Sequence, residues 1–154
     1  IIYTGEAMAQ GKESVFWFTL LEVPPKPGAD AAGTNLLQMA FRTRIKLFVR
    51  PAKMDGLPEE APTKLSWKLV PDATGRGQAL EVTNPTPFHV SFSEFEVEAG
   101  GKTYKNEAGG MVGPKGATVL AVPNMNGVGD SAKVRFVAIS DFSAPLPGEA
   151  SLSK

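Results

Sequence analysis

Fifteen consecutive residues, LLQMAFRTRIKLFVR at 36–50, alternate in character for longer than an ordinary strand. Leu37, Met39, Phe41, Thr43, Ile45, Leu47 and Val49 hold the odd positions, and six of those seven are strongly apolar. Gln38, Ala40, Arg42, Arg44, Lys46, Phe48 and Arg50 hold the even ones. Successive side chains of a strand point to opposite faces, so one face is apolar and the other largely cationic. A helix would scatter the same apolar residues around its circumference. The pattern would span about 50 Å at about 3.3 Å per residue, whereas most strands run about 5–6 residues. Such a strand serves either as the core strand of a sandwich or as an edge to which another chain adds. The second reading predicts strand-to-strand binding of a protein partner.

The 154-residue length suits one domain of ordinary size, or two smaller β domains with one cut short. Lys plus Arg equals Asp plus Glu at 16 each, so no global basic field marks a nucleic-acid binder. The absence of cysteine excludes disulfides, thiolate zinc sites and cysteine nucleophiles. The longest apolar stretch, Val15–Val23, is broken by Thr19 and Glu22 and falls short of the roughly 18 residues that a membrane helix needs. The chain opens on the apolar, β-prone Ile1-Ile2-Tyr3, which is expected to be a strand remnant with residues missing upstream.

Punctuation by proline and glycine organises the rest. Val15–Val23 is rich in β-branched and aromatic residues and predicts a strand, stopped by Pro24-Pro25-Lys26-Pro27 because proline donates no ladder hydrogen bond. Gly28–Asn35 is a small polar loop, and the long strand ends at Pro51. Residues 52–61 carry a glycine, a proline and three acids and are expected to form a linker, with 62–154 a second domain. Short strands are predicted at Leu65–Val70, Ala79–Thr83, Phe88–Val97, Lys102–Tyr104, Thr118–Val122 and Lys133–Ile139. Turn residues separate them, as in Asn84-Pro85-Thr86-Pro87 and Gly100-Gly101. Many short strands between such turns predict an antiparallel sandwich of six or seven strands. Residues 1–51 hold three strands, too few to bury both faces of their own sheet.

Catalytic chemistry finds no footing. His89 is the single histidine, expected to point outward from its strand, and a hydrolase triad requires a histidine base beside a nucleophile and an acid. No G-x-S-x-G motif occurs, Gly127-Val128-Gly129 lacks the third glycine of a dinucleotide loop, and Gly113-Pro114-Lys115-Gly116 fails the spacing of a phosphate loop. One histidine and scattered acids offer no transition-metal cluster, and Asp130 and Asp141 are too far apart for a calcium loop. The chain is expected to be no enzyme, with no catalytic residues, no metal and no cofactor.

Several ordered segments together resemble one family. Lys12-Glu13-Ser14-Val15-Phe16-Trp17 with Leu21-Glu22-Val23-Pro24-Pro25-Lys26, the Leu37–Pro51 strand, Asn84-Pro85-Thr86-Pro87-Phe88, Gly110-Met111-Val112 with Pro114, and Ile139-Ser140-Asp141-Phe142 are similar to landmarks of the periplasmic pilus (fimbrial) assembly chaperones of the chaperone–usher pathway. The resemblance covers nearly the whole chain. It implies an all-β fold of two immunoglobulin-like sandwiches joined in a boomerang, the first present here only as its last three strands. It implies a periplasmic, non-catalytic chaperone that stabilises pilus subunits by lending them an edge strand and passes them to an outer-membrane usher.

Carried over by position, Leu37, Met39, Phe41 and Ile45 are the side chains inserted into the subunit, and Lys46 anchors the subunit's C-terminal carboxylate. The family's first-strand arginine, which shares that carboxylate, has no counterpart in this sequence. Glu13, Arg50 and Asp141 match a buried interdomain charge network. The short Gly28–Asn35 loop resembles the short-loop branch of the family, which serves rod-like pili. Pilus subunits and the usher are the implied partners, with self-association through exposed strands a further expectation. The alternative is an immunoglobulin-like structural or adhesive module of the fibre. A fibre subunit needs an N-terminal polymerising extension and an incomplete sandwich, whereas this chain offers an overlong strand and two domains.

Overall fold

A computed structural model of the chain describes residues 4–5, 7–25, 37–75, 77–128 and 132–153. Their regular elements are β-strands apart from one short 3-10 helix: β1 Ser14–Glu22, β2 Phe41–Val49, β3 Ser66–Pro71, β4 Gln78–Asn84, β5 Val90–Ala99, β6 Lys102–Asn106, β7 Gly110–Val112, β8 Gly116–Ala121, β9 Lys133–Ile139 and β10 Pro145–Ser153. The expected Ile1–Tyr3 strand and the Gly28–Asn35 loop lie outside the described residues. The chain divides into two compact units, residues 14–49 and residues 1–13 with 50–154.

The larger unit is a sandwich. Its eight described strands follow the order β6-β5-β9-β10-β3-β4-β8, with β7 on β5. β10 joins the two layers: Pro145–Ser151 runs antiparallel to β9, and Leu152 and Ser153 then pair parallel with Trp67 and Lys68 of β3. Trp67 is the centre of the core. Its ring lies 5.3 Å from Phe136 of β9, 5.4 Å from Phe92 and 6.3 Å from Phe95 of β5. Leu80, Val82, Val97, Val112 and Val134 are fully buried around this aromatic cluster. A bulge between Phe92 and Glu94 explains how Phe92, Phe95 and Val97 all turn inward although strict alternation would not allow it. Gly148 of β10 sits opposite Phe136, and a Cβ there would fall 2.4 Å from the ring, so the close aromatic stack depends on a glycine.

Sequence expectation and structure part at several places. β9 occupies its expected residues, but β7 and β10 were not foreseen. β10 contains Pro145, Pro147 and Gly148, which discourage a strand reading, yet its two neighbours supply the pairing. Residues 58–61 of the expected linker begin a 3-10 helix, Pro58–Lys64, with proline at its start and Ala61 and Pro62 buried.

The smaller unit is an antiparallel two-stranded ribbon in which Ser14 pairs with Val49 and Glu22 with Phe41. The strand expected over 36–50 is therefore shorter than the alternation implied, nine residues instead of fifteen. A strand exists only where a ladder partner does. β1 stops at Glu22 before Pro24-Pro25, whose missing N–H groups end the ladder, so residues 37–40 have no strand beside them among the described residues. Gln38 instead donates its side-chain amide to the carbonyl of Pro25 at 2.7 Å.

Candidate functional site

The register of the ribbon sorts its side chains. Directly paired residues share a face. Phe16, Phe18 and Leu20 of β1 therefore lie on the same face as Leu47, Ile45 and Phe41 of β2. The other face carries Trp17 and Leu21 with Arg42, Arg44 and Lys46. The apolar face is open to solvent: Phe41 is 56% and Ile45 54% exposed, and ahead of the strand Leu37 is 86% and Met39 52% exposed. Phe16, Phe18 and Leu20 are exposed as well. β1 is the one strand that pairs with β2 among the described residues, which leaves its second backbone edge without a ladder.

On the cationic face the Arg44 guanidinium lies 4.0 Å from the centre of the Trp17 ring, and the Lys46 ammonium 5.6 Å from it. Lys46 is half-buried, and that loss of solvent pushes its ammonium below the ordinary lysine value.

The second cluster lies in the larger unit. The chain passes between the units at residues 13–14 and 49–50, so Glu13 directly precedes β1 and Arg50 directly follows β2. Glu13 is 2% exposed. Its carboxylate accepts from Arg50 Nε at 2.6 Å, from the His89 backbone N–H at 2.7 Å, and lies 2.7 Å from His89 Nδ1. Arg50 turns its other edge to Asp141, donating from Nη2 at 2.7 Å and pairing also through Nη1. The guanidinium thus bridges two acids, one of them bidentate, as its planar fork allows. Burial alone would push the Glu13 carboxyl up. Hydrogen bonds from the His89 ring and backbone and from Arg50 outweigh it and hold the group below 4.5. Hydrogen bonding to Arg50 likewise lowers Asp141, while the hydrogen bond to Asp141 raises Arg50.

The loop ahead of β5 builds this pocket. Asn84 is fully buried, donates to the carbonyls of Phe88 at 2.7 Å and Gly113 at 3.0 Å, and accepts from the Thr86 backbone at 3.0 Å and hydroxyl at 2.7 Å. Every hydrogen-bonding capacity of that amide is engaged, which explains an asparagine ahead of Pro85. The turn so held presents the Pro87 carbonyl, which accepts from Glu13 N–H at 2.9 Å, and the His89 N–H that reaches the Glu13 carboxylate. Phe88 packs under the Arg50 guanidinium at 5.6 Å.

The structure brings Glu13, Arg50 and Asp141 together, and it adds a residue that sequence reasoning placed elsewhere. His89 does not point outward from a strand. It precedes β5, and its side chain is 8% exposed against Glu13. The reason is the turn from Asn84 to Phe88, which delays the start of β5 to Val90. The one available signal was position: the single histidine directly follows the Asn-Pro-Thr-Pro-Phe motif.

The described residues thus combine a β-sandwich, a ribbon with an exposed apolar face and an arginine bridging two acids. The chain matches the family of the pili assembly chaperone PapD, by its C-terminal domain over residues 60–150 and by the pili and flagellar-assembly chaperone PapD N-terminal domain over residues 1–55. It belongs to this pilus assembly chaperone family. It is 48% identical over 155 aligned positions to the probable fimbrial chaperone YadV of Escherichia coli K12, covering 99% of this chain and 61% of that protein. The chain thus spans about three fifths of the length of that relative. A crystal structure of the YadV chaperone superposes with a TM-score of 0.80 at 45% identity, over 97% of this chain and 67% of that one. The Salmonella enterica SafA pilin in complex with the SafB chaperone matches with a TM-score of 0.71 at 28% identity, over 98% of this chain and 65% of that one.

Proposed function

We propose that this chain is the part of a periplasmic, non-catalytic chaperone that binds and stabilises pilus subunits by donating β2 as an edge strand, before handing them to an outer-membrane usher. The observation that carries the reading is the exposed row of Leu37, Met39, Phe41 and Ile45, leading into and along a strand with one edge unpaired among the described residues. Strand addition supplies main-chain hydrogen bonds along that edge, and alternate side chains fill the subunit's groove. Burying the surface these four still expose contributes roughly 4–7 kcal/mol before ordering costs, enough to make the strand the main source of affinity. The complex of the SafA pilin with the SafB chaperone supports a pilus subunit as the occupant.

In this reading residues 1–51 belong to the subunit-binding domain, 52–61 connect, and 62–154 form the second domain. Lys46 receives the subunit's terminal carboxylate and so sets the register of the added strand. Glu13, Arg50 and Asp141 form the interdomain charge network. Co-expression of the full-length protein with a pilus subunit encoded beside it tests the proposal. A soluble one-to-one complex is expected, and Phe41→Asp and Lys46→Ala should each abolish it. Retention of the complex by both variants would reject the donor-strand reading.

A further inference from the structure

We propose that His89 is a positioning residue of the charge cluster: its Nδ1–H fixes the Glu13 carboxylate in the orientation that receives Arg50. The inference deepens the proposed Glu13–Arg50–Asp141 network and does not depend on subunit binding. Three observations carry it. The Glu13 carboxylate is buried and can receive no comparable help from water. One of its oxygens, Oε2, meets both the backbone N–H and the ring Nδ1 of His89 at 2.7 Å, which leaves Oε1 turned to Arg50 Nε at 2.6 Å. The His89 ring is itself 8% exposed and sits on the turn held by Asn84 and Thr86, so its direction is set by the fold.

An ionised carboxylate accepts and does not donate. The nitrogen facing it must therefore carry a hydrogen, which places a proton on Nδ1. This is the arrangement by which a carboxylate and an imidazole orient one another in other buried sites. The titratable groups that face Glu13 among the described residues are His89 and Arg50, with Asp141 behind Arg50. Removing the ring donor leaves the carboxylate buried with one partner fewer, so its proton affinity must rise.

The test follows the titration of the Glu13 side-chain carboxyl by carbon-13 NMR in the full chain, without any pilus subunit. Three forms are compared: wild type, His89→Asn, whose amide can donate from nearly the same place, and His89→Leu, which fills space without a donor. The expected result is a Glu13 midpoint that moves to higher pH in H89L and stays low in H89N. An H89L chain that fails to fold beside a folded H89N chain with Glu13 unmoved supports the same role. Equal midpoints in all three forms, or failure of H89N to fold, would overturn the proposal and leave His89 as a packing residue. Because the readout needs no partner, its failure is distinguishable from failure of the donor-strand reading.

Discussion

Glu13 and Arg50 are 37 residues apart, yet Glu13 Oε1 accepts a hydrogen bond from Arg50 Nε at 2.6 Å. They are the residues immediately outside the first register pair of the ribbon, Ser14 with Val49. The two points where the chain enters and leaves β1 and β2 are therefore tied to one another by charge as well as by ladder hydrogen bonds. Each partner has a second anchor in the larger unit, His89 for Glu13 and Asp141 for Arg50.

Arg50→Ala leaves Glu13 buried without its counter-ion. Breaking a buried pair from one side costs about 3–5 kcal/mol, and the partial exposure of the Arg50 guanidinium reduces that to about 2–3 kcal/mol here. Urea unfolding should show a lower midpoint with an unchanged slope. Arg50→Lys should recover little, since one ammonium cannot serve Glu13 and both oxygens of Asp141.

Acid should weaken the same cluster. Glu13 and Asp141 both have folded values below their ordinary 4.5 and 3.8. Their contribution is present above those ordinary values, where both states are ionised, and is lost as pH falls through the lowered folded values. The thermal midpoint of the wild type should drop as pH falls below about 5. In Arg50→Ala that drop should flatten; an equally steep acid limb would assign it to other carboxylates.

Ile45→Asp separates binding from folding. Ile45 is more than half exposed, so the substitution should change stability by less than about 0.5 kcal/mol. Copurification with a pilus subunit should be lost, because a charge would enter an apolar groove without a partner. A variant that unfolds instead would show that Ile45 is buried within the chaperone itself.

Gly148→Ala places a methyl group 2.4 Å from the Phe136 ring. Overpacking of this kind costs about 1–3 kcal/mol. The thermal midpoint should fall, and near-ultraviolet circular dichroism should report a disturbed Trp67 environment, since Trp67 stacks on Phe136.

Local chemistry already present in the sequence determined much of this protein. Alternation marked the apolar and cationic faces of β2, and Pro24-Pro25 marked where β1 must end. A run of strong β-formers following a turn-rich segment marked β9 to the residue. The family motifs named the residues of the charge cluster, Glu13, Arg50 and Asp141, before any geometry was known. Tertiary structure decided what depends on a partner distant in the chain. Residues 37–40 alternate like a strand but have no ladder beside them, so β2 begins at Phe41. Proline and glycine in β10 argue against a strand, but β9 and β3 impose one. His89 carries no pattern of its own, and only the turn held by Asn84 aims its ring at Glu13. Propensity and periodicity are properties of neighbours in sequence, whereas a hydrogen-bond partner is a property of neighbours in space.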